Sequence, residues 1–200
     1  MENPKASMRK QPSQARSKAT VDAIIEAAAR ILGDQGWAGF TTNKVAETAG
    51  VSVGSYYQYF PDKHSLVEAI RDRHLADCLM VMRHALEGDK AVEVFVAELV
   101  DGIIANHSVT PGLHRVLLDE VAGSETFRDP DSAFEKAYLG HYRAAVAKYR
   151  PGGAAEDQAG VIMSDAIEGV VHNAARRGTL RTPQVREELI RMIGLYLAGG

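Results

Sequence analysis

A single cysteine is all the thiol chemistry this 200-residue chain has to draw on. Cys78 cannot close an internal disulfide, which fits a reducing compartment, and its simplest reading is a small buried hydrophobe. Long apolar runs are also missing. The greasiest stretch, Val92 to Ile104, is interrupted by Glu98 and Asp101, so no membrane span is expected. The basic start (Lys5, Arg9, Lys10) is not followed by an apolar signal core, and a cytoplasmic location is therefore expected. Alternating strand patterns of useful length are absent, as are internal repeats and low-complexity tracts. The seven histidines form no His-x-x-x-His pair and no Cys/His cluster. His107 and His114 stand seven apart, but Pro111–Gly112 interrupts the helix they would need to share. No metal, cofactor or catalytic residue is expected.

A net charge of −3 argues by itself against nucleic acid, but its distribution argues the other way. Residues 1–20 sum to +4, residues 1–63 to +2, and residues 64–200 to −5. A basic arm before an acidic body suits a protein that meets phosphates with one end only.

What is present is helical periodicity. Residues 1–16, with Pro4 and Pro12, read as a flexible basic arm. Val21, Ile24, Ile25, Ala28, Ile31 and Leu32 then form one apolar stripe, with Gly33 and Gly36 expected to end the helix. The block from Phe40 to Leu66 carries the densest signals. Thr41 or Thr42 can cap a short helix that turns Val45, Ala46 and Ala49 inward; Gly50 breaks it, and Val51 plugs the corner. Ser52 can cap a second short helix through Tyr59. Pro61 stops that helix, and Asp62 can cap a third from about Lys63 to Leu86. Ala91–Ile104, Leu113–Val121, Ala133–Tyr149, Asp157–Arg176 and Val185–Leu197 also read as helices. The expected fold is all-α: a helix-turn-helix unit over 17–63 and a helical body over 64–200.

Two short helices that cross steeply need a small residue at the crossing, a glycine turn and an apolar plug. Ala46, Gly50 and Val51 supply them. On the second helix Tyr56 and Phe60, four apart, share a core-facing side. Val53, Gly54, Ser55 and Tyr57 are left for a DNA groove, Ser52 for a phosphate at the helix start, and Tyr57, Tyr59 and Lys63 for flanking phosphates. Gly50-Val51-Ser52-Val53-Gly54 also matches the G-x-S-x-G nucleophile elbow. That device needs a strand before the serine, so Ser52 is read as a cap.

The stretch Arg16–Leu66 resembles the N-terminal domain of the TetR (tetracycline-repressor-like) family. The resemblance rests on TVDAIIEAAARIL (Thr20–Leu32), TTNKVAETAGVSVGSYYQYF (Thr41–Phe60) and PDKHSLV (Pro61–Val67). It implies a three-helix DNA-binding head, a homodimer that binds double-stranded operator DNA, and a ligand-sensing body. Its DNA contacts would fall on Thr42, Asn43, Ser52, Val53, Gly54, Ser55, Tyr57, Tyr59 and Lys63. His64 replaces the acidic residue usual after that lysine.

In the body, Val185, Leu189, Ile190, Met192, Ile193, Leu195, Tyr196 and Leu197 cover more than one helix face, while Ala166, Gly169 and Asn173 are small. A homodimer through the last two helices is expected. Cys78, Met82, His114, Tyr138, His141, Tyr142, Met163 and His172 could line a site for a small apolar or amphipathic ligand. The functional expectation is a sequence-specific regulator, a repressor released from a palindromic operator by a ligand. Its rivals are an enzyme using the body and a nucleoid-type DNA binder with no ligand.

Overall fold

The computed structural model describes residues 15–110, 112–113, 116–117, 131–152 and 156–199. The basic arm up to residue 14, most of the helix expected over Leu113–Val121, and His114 lie outside them. The described residues form eight helices and no strand, an all-α fold. They are α1 (Ala15–Gly39), α2 (Thr42–Thr48), α3 (Val53–Tyr59), α4 (Lys63–Leu86), α5 (Val92–Ser108), α6 (Ala133–Tyr149), α7 (Glu156–Arg176) and α8 (Pro183–Ala198).

Two compact units emerge. The first comprises residues 1–74 and 110–124, the second 75–109 and 125–200. The sequence-based boundary at residue 63 marks where α4 begins. The units divide inside α4 instead, because its residues Leu66, Val67 and Ile70 are buried and belong to the first unit.

In the first unit, hereafter the head, α1 buries the stripe Val21, Ile24, Ile25, Ala28, Ile31 and Leu32. Gly33 does not end this helix. The break comes at Gly36, whose φ of 65° and ψ of −175° are open only to glycine, and one more turn runs on to Gly39. α2 packs against α1 and α3. Thr41 caps α2, its hydroxyl accepting from the Lys44 amide at 3.4 Å. The helix closes in a Schellman arrangement: the Val51 amide donates to the Ala46 carbonyl (2.9 Å) and the Gly50 amide to Glu47 (3.1 Å). Gly50 takes φ 67° there, and Ala46 is buried at the crossing. Ser52 caps α3 through a 3.0 Å bond from the Ser55 amide. Asp62 starts α4 in the same way, its carboxylate accepting from the Ser65 amide at 2.8 Å.

The second unit, the body, packs α6 on α7 and α5 on α8, with α7 and α8 also in contact. Its core runs from Met82, Phe95 and Leu99 through Tyr142, Met163 and Ile167 to Ile193 and Leu197. Glycine permits the tightest approach. A Cβ on Gly160 would lie 2.9 Å from the Arg143 backbone nitrogen, so α6 and α7 touch backbone to backbone there. Arg186 forks onto Asp101 with bonds of 2.5 and 2.8 Å, tying α8 to α5 and holding the Asp101 carboxyl below its usual range.

Candidate DNA-binding surface and the polar core of the body

Capping sets the geometry of α3. With Ser52 holding the first turn, Tyr56 and Phe60 fall on the inner side and are fully buried, while Val53 and Tyr57 stand 39% and 44% exposed. The Tyr56 hydroxyl donates to the Asp62 carbonyl at 3.3 Å, and its ring meets Tyr57 edge-on at 5.3 Å and Phe60 at 5.9 Å. Tyr57 is therefore braced from behind. Asn43, Ser52 and Gly54 are exposed, and Thr42 and Ser55 half-buried. A Cβ on Gly54 would meet only the Ser52 hydroxyl, at 3.7 Å, so the packing of the head does not demand a glycine there. Tyr59 departs from the sequence-based reading. Only 7% exposed, it packs into the head core and not on the outer face of α3 with Tyr57.

The Tyr56 phenol is pushed up to about 12, by burial above all, with the Thr42 hydroxyl pulling the other way. The unfolded chain releases this proton near pH 10, so the stability contributed by the neutral phenol is complete below pH 10 and is lost as pH rises toward 12. Tyr56→Phe should flatten that decline. Urea titrations followed by emission of Trp37, the single tryptophan and part of the head, would show it; an unchanged pH dependence would contradict it.

The body carries polar groups in and beside its apolar core. The Tyr138 and Tyr142 hydroxyls, one turn apart on α6 and buried, stand 3.2 Å from each other. Asn106 of α5 donates to the Cys78 sulfur of α4 at 3.3 Å. Burial pushes the Tyr138 phenol well up, and Tyr142, the Glu168 carboxylate of α7 and Cys78 add to the shift. Ser164, fully buried, donates to Glu168 at 3.4 Å. His172 lies against His107 with ring centroids 5.6 Å apart. The His107 imidazole is held low by burial while its Nδ1 sits 2.9 Å from the Ile103 carbonyl.

Of the residues singled out from sequence, Cys78, Tyr138 and Tyr142 come together here. Met82 and Met163 are buried in the body core. His141 is half-buried and held low by burial and then by the charge of Arg83. Asn106, Ser164 and Glu168 escaped the sequence reading, because isolated polar residues on amphipathic helices read as solvated. Among the described residues no group of three or more His, Cys, Asp or Glu is placed to hold a metal ion, and no helix is long and apolar enough to cross a membrane.

Two family models match the chain: "Bacterial regulatory proteins, tetR family" over residues 24–70, and "Tetracyclin repressor-like, C-terminal domain" over residues 92–197. The chain belongs to the TetR family. It is a DNA-binding transcriptional regulator whose helix-turn-helix is α2–α3. No curated protein matches it. Among solved structures it is similar to a TetR-family transcriptional regulator from Rhodococcus sp. (22% identity, 90% of this chain and 99% of that one, TM-score 0.70). It is also similar to the fatty acid degradation regulator FadR from Bacillus halodurans (19%, 96% and 97%, 0.71) and to a TetR-family regulator from Streptomyces coelicolor (20%, 91% and 97%, 0.64). At these identities the likeness is one of fold. For this TetR-family chain it also disposes of the hydrolase elbow: Ser52 joins two helices, and its hydroxyl is held by the Ser55 amide and hydroxyl, the latter at 2.8 Å.

Proposed function

We propose that this TetR-family regulator is a repressor that binds a palindromic operator as a homodimer and is released by a small apolar or amphipathic ligand taken up in the body. The observation that carries the ligand half is the set Cys78, Asn106, Tyr138, Tyr142 and Glu168. Tyr138 and Tyr142 are buried in the apolar core, and half-buried polar groups come from three other helices, Cys78 bonded to Asn106 and the Glu168 carboxylate; a few polar groups beside an apolar lining suit an amphipathic ligand. The DNA half rests on the outer side of α3. Val53, Gly54, Ser55 and Tyr57 read bases, Ser52 and Lys63 meet phosphates, and Thr42 and Asn43 approach from α2. Residues 17–63 carry this recognition and the remainder senses and dimerises.

Dimerisation is assigned to α7 and α8. Ile162, Ala166, Gly169 and Asn173 recur at helical spacing on the exposed side of α7 beside Val170, and α8 exposes Leu195. Two half-sites one DNA turn apart then supply the contacts that one recognition helix cannot.

Selection of bound genomic fragments with the purified protein would give the operator. Gel-shift titration would then seek the releasing ligand, beginning with fatty acids because the Bacillus halodurans relative is described as a regulator of fatty acid degradation. If operator binding survived every amphipathic compound tried while Tyr138→Phe and Cys78→Ala proteins behaved like the parent, the nucleoid-type reading would replace this one. Tyr57→Ala should weaken operator binding by roughly 1–3 kcal/mol, as for a good direct contact. Unchanged filter binding would mean that another face of α3 meets the DNA.

A further inference from the structure

The turn that closes α1 holds two lysines at once. Gln35 and Trp37 flank Gly36, and each takes a different ammonium group. The Lys44 Nζ of α2 donates to the Gln35 Oε1 at 2.9 Å, and the Lys63 Nζ of α4 sits 3.8 Å from the centroid of the Trp37 ring. Trp37 is itself fixed, stacked on buried Phe40 at 5.9 Å with His64 packed against it at 5.1 Å. Glycine makes this turn possible twice over. Gly36 takes a backbone conformation closed to other residues, and a Cβ on Gly39 would fall 2.5 Å from the Gln35 Cβ, so only glycine leaves room for Gln35 to fold over it.

We propose that the turn from Gln35 to Phe40 is a lysine-presenting platform, which fixes the Lys44 and Lys63 ammonium groups for contact with the phosphates of the DNA backbone. Gln35 and Trp37 are positioning residues and Lys44 is a further phosphate contact. The proposal rests on the reading of the head as the DNA-contacting unit, and it explains what that reading leaves aside. An ammonium carries three donors. One hydrogen bond to Gln35, or a seat on the face of Trp37, leaves the others for phosphate oxygens. A free lysine would give up much of its rotamer freedom on binding, whereas these two have given it up beforehand. His64 fits the same scheme, since an imidazole here avoids setting a carboxylate beside the phosphate that Lys63 meets. Asp34, Glu47 and Asp62 are the nearby acids in sequence, Glu47 one turn after Lys44 on α2; Asp62 is committed to the Ser65 amide as the cap of α4.

The full chain can be tested before its operator is known, because phosphate contacts govern non-specific binding. A short duplex of random sequence is titrated across a salt series, followed by anisotropy and by emission of Trp37. Lys44→Met and Lys63→Met should each reduce the slope of log affinity against log salt by roughly 0.9. Trp37→Leu should weaken binding roughly 2- to 5-fold, with Trp37→Phe in between, and neither should weaken it further in a Lys63→Met background. Gln35→Met, at an exposed position, should weaken binding only where Lys44 is present. Duplex should change the Trp37 emission of the parent and leave that of Lys63→Met unchanged. Equal losses from Trp37→Leu with and without Lys63 would make the ring merely structural. Unchanged salt slopes in both lysine variants would overturn the platform while leaving the parent's binding, and so the wider reading, intact. A parent chain that bound no duplex would overturn both.

Discussion

Tyr56→Ala is expected to remove roughly 3–5 kcal/mol from the head, the loss typical of deleting a buried aromatic ring. The ring is fully buried between Tyr57 and Phe60, and its hydroxyl ties the end of α3 to the Asp62 carbonyl at the start of α4. Small domains are stable by roughly 5–15 kcal/mol, and one of this size sits toward the lower end, so the deletion removes much of what holds α3 in place. Duplex binding should be lost even though Tyr56 faces away from the DNA. Urea unfolding followed by Trp37 emission should shift its midpoint down by on the order of 2 M, given slopes of about 1–3 kcal/mol per molar. Tyr56→Phe keeps the ring and forfeits one hydrogen bond, about 1 kcal/mol, so it should still bind DNA. If Tyr56→Ala unfolded at the parent's midpoint, α3 would be held by something other than this core.

The head could be read so far from sequence because its instructions are local. A hydroxyl at Thr41 or Ser52 caps the helix beginning one residue later, Gly50 permits a left-handed turn whatever surrounds it, and Pro61 stops α3 on its own account. Where two residues offer the same local signal, sequence cannot choose. Gly33 and Gly36 offer the same local signal to end α1, and the break falls at Gly36. Pairings across long separations were invisible for the same reason. Asn106 meets Cys78 across 28 residues, and nothing near either one announces the other. Tyr138 and Tyr142, a single turn apart, were legible. The burial of Tyr59 was not legible, because helical spacing gives a direction around α3 and not the depth to which the core closes over it.

Gly169→Glu is expected to dissociate the dimer while leaving each subunit folded. A Cβ at Gly169 meets nothing within 4 Å of its own chain, and the glycine stands exposed mid-helix on α7, so the isolated subunit has room for a side chain. Replacing a mid-helix glycine even adds up to about 1 kcal/mol of helix propensity. Apart from repulsion by Asp165 one turn before, about 0.2–0.5 kcal/mol and no larger than the gain in propensity, everything unfavourable about the substitution must then come from a partner. Around Gly169 lie Ile162, 47% exposed, and Val170, 38% exposed, with Ala166 and Asn173 completing the stripe and Leu195 of α8 65% exposed. Apolar groups gathered on one side of a helix pair are what a second subunit would cover. In a two-fold interface each substitution appears twice, and an unpaired carboxylate withdrawn from water is unfavourable by several kcal/mol. At 1.4 kcal/mol per tenfold, dimer dissociation should strengthen by on the order of a thousandfold or more. Sedimentation should show a monomer with the parent's helical circular dichroism, and binding to a full palindrome should fall toward that of a half-site. Gly169→Ala, which puts only a methyl group into the open space, should remain dimeric. A Gly169→Glu protein that sedimented as a dimer would move the interface off this face of α7, and the apolar stripe would need another occupant.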